Sequence, residues 1–105
     1  MIISKTPLRI SFFGGGTDYP EWISNYGGKV LSTTINKYIY LSCRFLPPFF
    51  NHKYRISYSN IDLAKNLREI SDRPVREIIN YLKIKDGLEI HYDADLPAKS
   101  GMGSS

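Results

Sequence analysis

Residues 2–13 are dense in β-branched and aromatic side chains, and Leu8, Ile10 and Phe12 alternate with Arg9 and Ser11. A period of two is the pattern of a half-buried strand, and it sets Arg9 and Ser11 apart from the apolar positions. Pro7 cannot donate a ladder hydrogen bond, which points to a strand start or an edge. Gly14-Gly15-Gly16 ends the run. Thr17 or Asp18 is then a candidate N-cap for a short helix through Pro20, Glu21 and Trp22, closed by Gly27-Gly28. Residues 29–34 and 38–46 predict two more strands, antiparallel across a turn at Ile35-Asn36-Lys37.

Pro47-Pro48 breaks the pattern and residues 49–53 predict a loop. Phe49 and Phe50 are expected as core anchors, the other use for them being contact with sequence beyond this chain. Residues 54–58 resume as a strand with Tyr54, Ile56 and Tyr58 on one face. Residues 60–70 predict a short helix and residues 74–84 a stronger one, whose Val75, Ile78, Ile79 and Leu82 recur at helical spacing as a core-facing stripe. Asp86-Gly87 predicts a turn, residues 88–93 a strand with Leu88, Ile90 and Tyr92 on one face, and residues 97–105 a loop. The mixture is an α+β domain.

At 105 residues the chain suits one small domain, with a core that surface-to-volume scaling keeps marginal. Its 42% hydrophobic and 23% charged residues are the composition of an ordinary globular protein rather than a disordered or disulfide-stapled one. The net charge of +4 favours anionic partners, but the basic residues are scattered and form no run that would mark a nucleic-acid stripe. Cys43 is the single cysteine, so no intrachain disulfide or cysteine zinc site exists and a packed thiol is expected. No apolar run approaches membrane-span length and the start lacks a secretory h-region, so a cytoplasmic location without membrane association is expected.

Two glycine segments carry candidate chemistry. In the first, from Arg9 to Tyr19, glycines let backbone approach a ligand while Thr17 and Asp18 place a hydroxyl and a carboxylate just beyond. A carboxylate there suits sugar hydroxyls, and a tight turn followed by an N-cap would use the same residues structurally. Gly14 and Gly16 begin a dinucleotide-binding pattern, but Tyr19 stands where its third glycine belongs. In the second, Leu96 to Ser105, small residues expose successive N–H groups able to cradle phosphate oxygens, and terminal serine hydroxyls suit phosphate or magnesium. It lacks the Gly-Lys-Ser/Thr ending of a Walker A loop.

Together, Thr6-Pro7-Leu8-Arg9 with Gly14 and Thr17-Asp18-Tyr19, and Pro97-x-x-x-Gly101-x-Gly103-Ser104-Ser105, resemble the N-terminal and phosphate-binding motifs of the GHMP kinases. That superfamily is named for galactokinase, homoserine kinase, mevalonate kinase and phosphomevalonate kinase. The motifs anchor both ends, whereas residues 44–86 match none. Galactokinases carry Gly-Glu-His-Thr-Asp-Tyr where this chain has Gly14-Gly15-Gly16-Thr17-Asp18-Tyr19, so two polar sugar contacts are replaced by glycines. The Phe-Gly-Gly-Gly-Thr-Asp-Tyr-Pro form is similar to the heptose 7-phosphate kinase branch, which phosphorylates a seven-carbon sugar phosphate.

The resemblance implies a fold like domain 2 of ribosomal protein S5, including a left-handed β-α-β crossover, and ATP and magnesium as cofactors. It implies that residues 1–105 form the N-terminal part of a kinase domain, cut within the phosphate-binding loop. It assigns the sugar or sugar phosphate to Gly14, Gly15, Gly16, Thr17, Asp18 and Tyr19, and gives Arg9 an electrostatic role near the transferring phosphate. A strand-surface ion pair would be the structural use of Arg9. The resemblance assigns ATP to Pro97, Ser100, Gly101, Met102, Gly103, Ser104 and Ser105, with Ser104 or Ser105 on magnesium. The catalytic aspartate of many members and a third glycine-rich motif lie beyond the loop, so the chain alone is expected to be inactive. Asp93 and Asp95, which precede the loop, are expected to cap a strand end or face solvent. Two rival readings are a non-catalytic sugar and nucleotide sensor of the same descent, and an RNA-binding module. The absence of a basic cluster or aromatic RNA-binding signature argues against the last.

Overall fold

The computed structural model describes residues 1–97. Its strands are β1 (Ile2–Phe13), β2 (Leu31–Phe45), β3 (Tyr54–Ser57), β4 (Ile61–Ala64) and β5 (Leu88–Ala94), and its helices are α1 (Pro20–Tyr26) and α2 (Arg73–Tyr81). A 3-10 turn, Leu67–Glu69, lies between β4 and α2. The strands form a five-stranded sheet in the order β1-β2-β5-β3-β4. Two compact units are distinguished, one made of residues 1–4 and 40–93 and the other of residues 5–39 and 94 onward.

The first unit holds the main core. Tyr54, Ile56, Ala64, Ile70, Ile79, Leu88 and Ile90 form one buried cluster, with Cys43, Tyr58, Leu67, Val75, Ile84 and Tyr92 packed against it. The alternation read in β3 and β5 places Tyr54, Ile56, Leu88 and Ile90 there as expected. β3 and β5 are parallel, with Tyr54 opposite Leu88 and Ile56 opposite Ile90, so both apolar rows fall on one face. Arg44 and Arg55 both pair with Glu89, linking β2 and β3 to the strand between them. Cys43 is a free, half-buried thiol, and burial raises its pKa.

Four local expectations are corrected. Residues 31–45 form one continuous strand, so Ile35-Asn36-Lys37 is not a turn. Only Asn36 of the three readily takes positive φ, and no glycine follows it to complete the Asn-Gly pair of a tight hairpin. The segment expected as a helix over residues 60–70 is instead β4 followed by the 3-10 turn. β4 folds back antiparallel on β3 across Ser59-Asn60, with the Tyr58 N–H donating to the Asn60 carbonyl at 2.9 Å. Asp62 accepts from the Ser71 N–H at 2.7 Å, and Asn66 accepts from the Arg68 N–H at 3.0 Å. These local side-chain bonds favour turns over a helix.

Phe49 and Phe50 are not core anchors: they are 78% and 43% exposed, with ring centroids 4.7 Å apart. The stripe on α2 divides. Val75 and Ile79 pack on the core, whereas Ile78 and Leu82 are 57% and 58% exposed. Asp72 starts α2 by accepting from the Val75 N–H at 3.0 Å, and Pro74 occupies the first turn, where its missing N–H costs nothing. The second oxygen of Asp72 accepts from the Tyr92 hydroxyl, and the Tyr92 ring stacks on Tyr58.

In the second unit, Leu8 of β1 is fully buried. The Asp95 N–H donates to the Tyr38 carbonyl at 3.0 Å, and the Asp95 carboxylate accepts from the Tyr38 N–H at 2.8 Å. Asp95 therefore closes the end of β5 against β2, the strand-end role expected of it. The Lys5 ammonium lies 4.0 Å over the Tyr38 ring. Among the described residues no helix is long and apolar enough to cross a membrane.

Candidate functional site

Where β1 ends, the chain must reverse into α1 within a few residues, and three glycines make this possible. Gly14 and Gly16 adopt φ of 81° and 99°, backbone that L side chains rarely take. Gly14 also has no room for a side chain, since a Cβ there would lie 1.8 Å from the Lys29 carbonyl oxygen. Gly15 differs, with open space around its Cβ position.

Thr17 fastens this turn. Its hydroxyl donates to the Gly14 carbonyl at 2.8 Å, with the Lys29 carbonyl 3.2 Å away beside it. Asp18 turns one carboxylate oxygen back to accept from the Gly16 N–H at 3.2 Å. Neither residue caps α1. The N-cap is Tyr19, which makes no side-chain cap bond, and Pro20 follows in the first turn. The correction has a simple cause: the two side chains best suited to capping are already engaged within the glycine turn. Gly27 ends α1 at φ 71°, as its position predicts, and its N–H donates to the Ile23 carbonyl at 3.0 Å.

The result is a cavity of about 330 Å³ lined by Arg9, Ser11, Gly15, Gly16, Asp18, Tyr19 and Val30. Five of the seven residues proposed from sequence for the sugar end of the site thus meet around one hollow. The other two, Gly14 and Thr17, are outside its lining and bond to each other within the turn. Ser11 was not proposed from sequence, although the alternation along β1 sets it with Arg9. Val30 was not legible, because the return of the chain at Gly28-Lys29-Val30 depends on backbone contact. A Cβ on Gly28 would lie 2.4 Å from the Thr17 carbonyl oxygen.

The cavity joins one cation and one carboxylate. Arg9 is exposed and forms no ion pair among the described residues, so the strand-surface pair considered for it is not formed there. The second Asp18 oxygen makes no hydrogen bond among the described residues. Such a site can accept hydrogen bonds from hydroxyls through Asp18 while Arg9 holds an anionic oxygen. At the far end of β5, Pro97 is exposed, whereas Ser100, Gly101, Met102, Gly103, Ser104 and Ser105 lie outside the described residues. Among the described residues no three His, Cys, Asp or Glu side chains are grouped as a metal site.

No protein-family model matches the chain. A D-glycero-alpha-D-manno-heptose 7-phosphate kinase of Campylobacter jejuni is 29% identical over 115 aligned positions, covering 99% of this chain and 33% of the kinase. A crystal structure of a D-glycero-D-manno-heptose 1-phosphate kinase from Bacteroides thetaiotaomicron superposes with a TM-score of 0.73 at 25% identity, covering 98% of this chain and 37% of that one. The chain spans about a third of the length of each. Across nearly all of its own length, it is similar in sequence to one heptose phosphate kinase and in sequence and fold to another.

Proposed function

We propose that these residues are the sugar-binding part of an ATP-dependent kinase of the GHMP superfamily acting on a heptose phosphate. The observation that carries the reading is the shared cavity of Arg9, Asp18 and the glycine turn, in a chain similar from end to end to two heptose phosphate kinases. The proposal includes a fold like domain 2 of ribosomal protein S5, continuing into a phosphate-binding loop.

The chemistry assigned to this chain is positional. Asp18 accepts hydrogen bonds from sugar hydroxyls and fixes which one faces the nucleotide. Arg9 stabilises negative charge on the transferring phosphoryl group, a role for which its freedom from a competing carboxylate suits it. Gly15 leaves open the volume that a side chain would take, room suited to a bulkier seven-carbon acceptor. Thr17 acts through the turn, holding Gly14 and Asp18 in place. ATP is assigned to Pro97 and residues 100–105, with magnesium at Ser104 or Ser105 to neutralise phosphate charge when bound.

A coupled ADP-release assay tests the proposal on the longest natural reading frame containing these residues. It would use magnesium-ATP with heptose 7-phosphate, heptose 1-phosphate, hexoses and mevalonate. Selective turnover of a heptose phosphate is expected. Turnover of another acceptor would reject the branch, and sugar binding without turnover by a well-folded protein would indicate a sensor.

A further inference from the structure

A second hollow, in the first unit, shares no residue with the cavity at Arg9. It encloses about 860 Å³, within the roughly 300–1,000 Å³ usual for small-molecule sites. Its rim is prebuilt by backbone. The Leu46 N–H donates to the Gly87 carbonyl at 2.8 Å, and the Leu88 N–H to the Lys53 carbonyl at 3.1 Å. Gly87 fits so closely that a Cβ would lie 2.6 Å from the Lys53 carbonyl oxygen.

The lining is cationic and aromatic. Lys53, Lys65 and Lys85 face it against the single carboxylate of Asp86, and none of the three forms an ion pair among the described residues. His52 lies stacked on Phe50, with ring centroids 5.4 Å apart. Its Nε2 is buried without a hydrogen-bond partner. A buried polar nitrogen left unmatched costs stability unless something occupies the site.

We propose that this hollow binds a phosphate monoester, with the three lysines neutralising the phosphate and His52 Nε2 hydrogen-bonded to the ligand. The charge balance excludes a cation, and the volume admits the sugar or nucleoside that carries the phosphate. The proposal stands independently of the kinase reading.

The test is a titration of the natural protein, labelled with ¹⁵N-histidine and ¹⁵N-lysine, with inorganic phosphate, glucose 6-phosphate, AMP and uncharged glucose. His52→Phe assigns the His52 signals while keeping a ring against Phe50, and exposed His91 is the internal reference. The expected result is a saturable shift of His52 Nε2 and of the Lys53, Lys65 and Lys85 amides with the phosphate esters, with glucose and His91 silent. Tighter binding of AMP or of glucose 6-phosphate identifies the body attached to the phosphate. Each lysine-to-methionine change should weaken binding about two- to fivefold, and His52→Phe about tenfold. Shifts spread over all basic residues without saturation, or confined to Lys29 beside the Arg9 cavity, would overturn the proposal.

Discussion

At the scale of single residues, the glycine turn separates backbone necessity from ligand space. Gly14→Ala meets both a positive φ and the Lys29 carbonyl, so it should destabilise the protein by about 3 kcal/mol or more in urea unfolding. Gly15→Ala meets neither and should change stability by less than about 0.5 kcal/mol. It should still weaken sugar binding, because Gly15 lines the cavity. Equal stability loss in both variants would mean that the turn is not built as described. Arg9 and Asp18 were legible because the motif that carries them is local, and Ser11 was missed although it alternates with the same apolar positions as Arg9. Lys29 and Val30 were not legible, since their approach to Gly14 is fixed by backbone contact from beyond α1. The use of Thr17 and Asp18 inside the turn was equally hidden, because capping and turn bonds draw on the same side chains.

At the scale of elements, strands with alternating apolar rows were readable, and segments with weak periodicity were not. β3 and β5 followed their patterns, whereas in β4 the alternating pair Ile61 and Leu63 is exposed and only Ala64 is buried, so its apolar row does not mark the core. β2 was divided in two because polar Asn36 and Lys37 look like a turn, although they lie inside one continuous strand. On α2, the helix was legible but its inward face was not, because Val75, Ile78, Ile79 and Leu82 form a stripe wider than the core contact. Ile79→Ala should therefore cost about 2–4 kcal/mol, and Ile78→Ala less than about 1 kcal/mol. Comparable losses in thermal or urea unfolding would show that the whole stripe is packed.

Asp72 gives a second prediction at this scale, since it both caps α2 and receives the Tyr92 hydroxyl. Asp72→Ala should cost about 2–3 kcal/mol, with Asp72→Asn retaining much of the cap. The Tyr92 pKa is raised well above its ordinary value of 10.0, first by burial and then by the Asp72 hydrogen bond and charge, with a smaller contribution from Tyr58. A raised pKa means that above pH 10 the unfolded state loses the Tyr92 proton first. The corresponding stability is complete below that pH and declines as pH rises. Melting temperature measured from pH 8 to 11 should fall above pH 10 in the parent, and less steeply in Tyr92→Phe.

At the scale of the whole molecule, strand order was beyond the sequence, because nothing local tells β5 to lie between β2 and β3. The motif resemblance supplied the expectation of an S5-like domain, and the similarity to a solved kinase supports the coarser statement, a mixed α and β fold with a five-stranded sheet. What the two kinds of evidence share is a separation between residues that hold the fold and residues proposed to act. Arg9 and Asp18 are exposed and belong to no buried cluster, so Arg9→Ala should leave unfolding free energy within about 0.5 kcal/mol of the parent, and Asp18→Ala, which also gives up the exposed bond from the Gly16 N–H, within about 1 kcal/mol. In the natural protein, the proposed function predicts that Asp18→Ala raises KM for the sugar phosphate about ten- to a hundredfold, because hydrogen bonds made in the bound state are lost. Arg9→Ala should lower kcat about a hundredfold with a smaller change in KM, because charge stabilised chiefly in the transition state is lost. Steady-state kinetics with urea unfolding on the same samples separates these outcomes from misfolding. A loss of activity in proportion to stability would place both residues in the scaffold instead of the site.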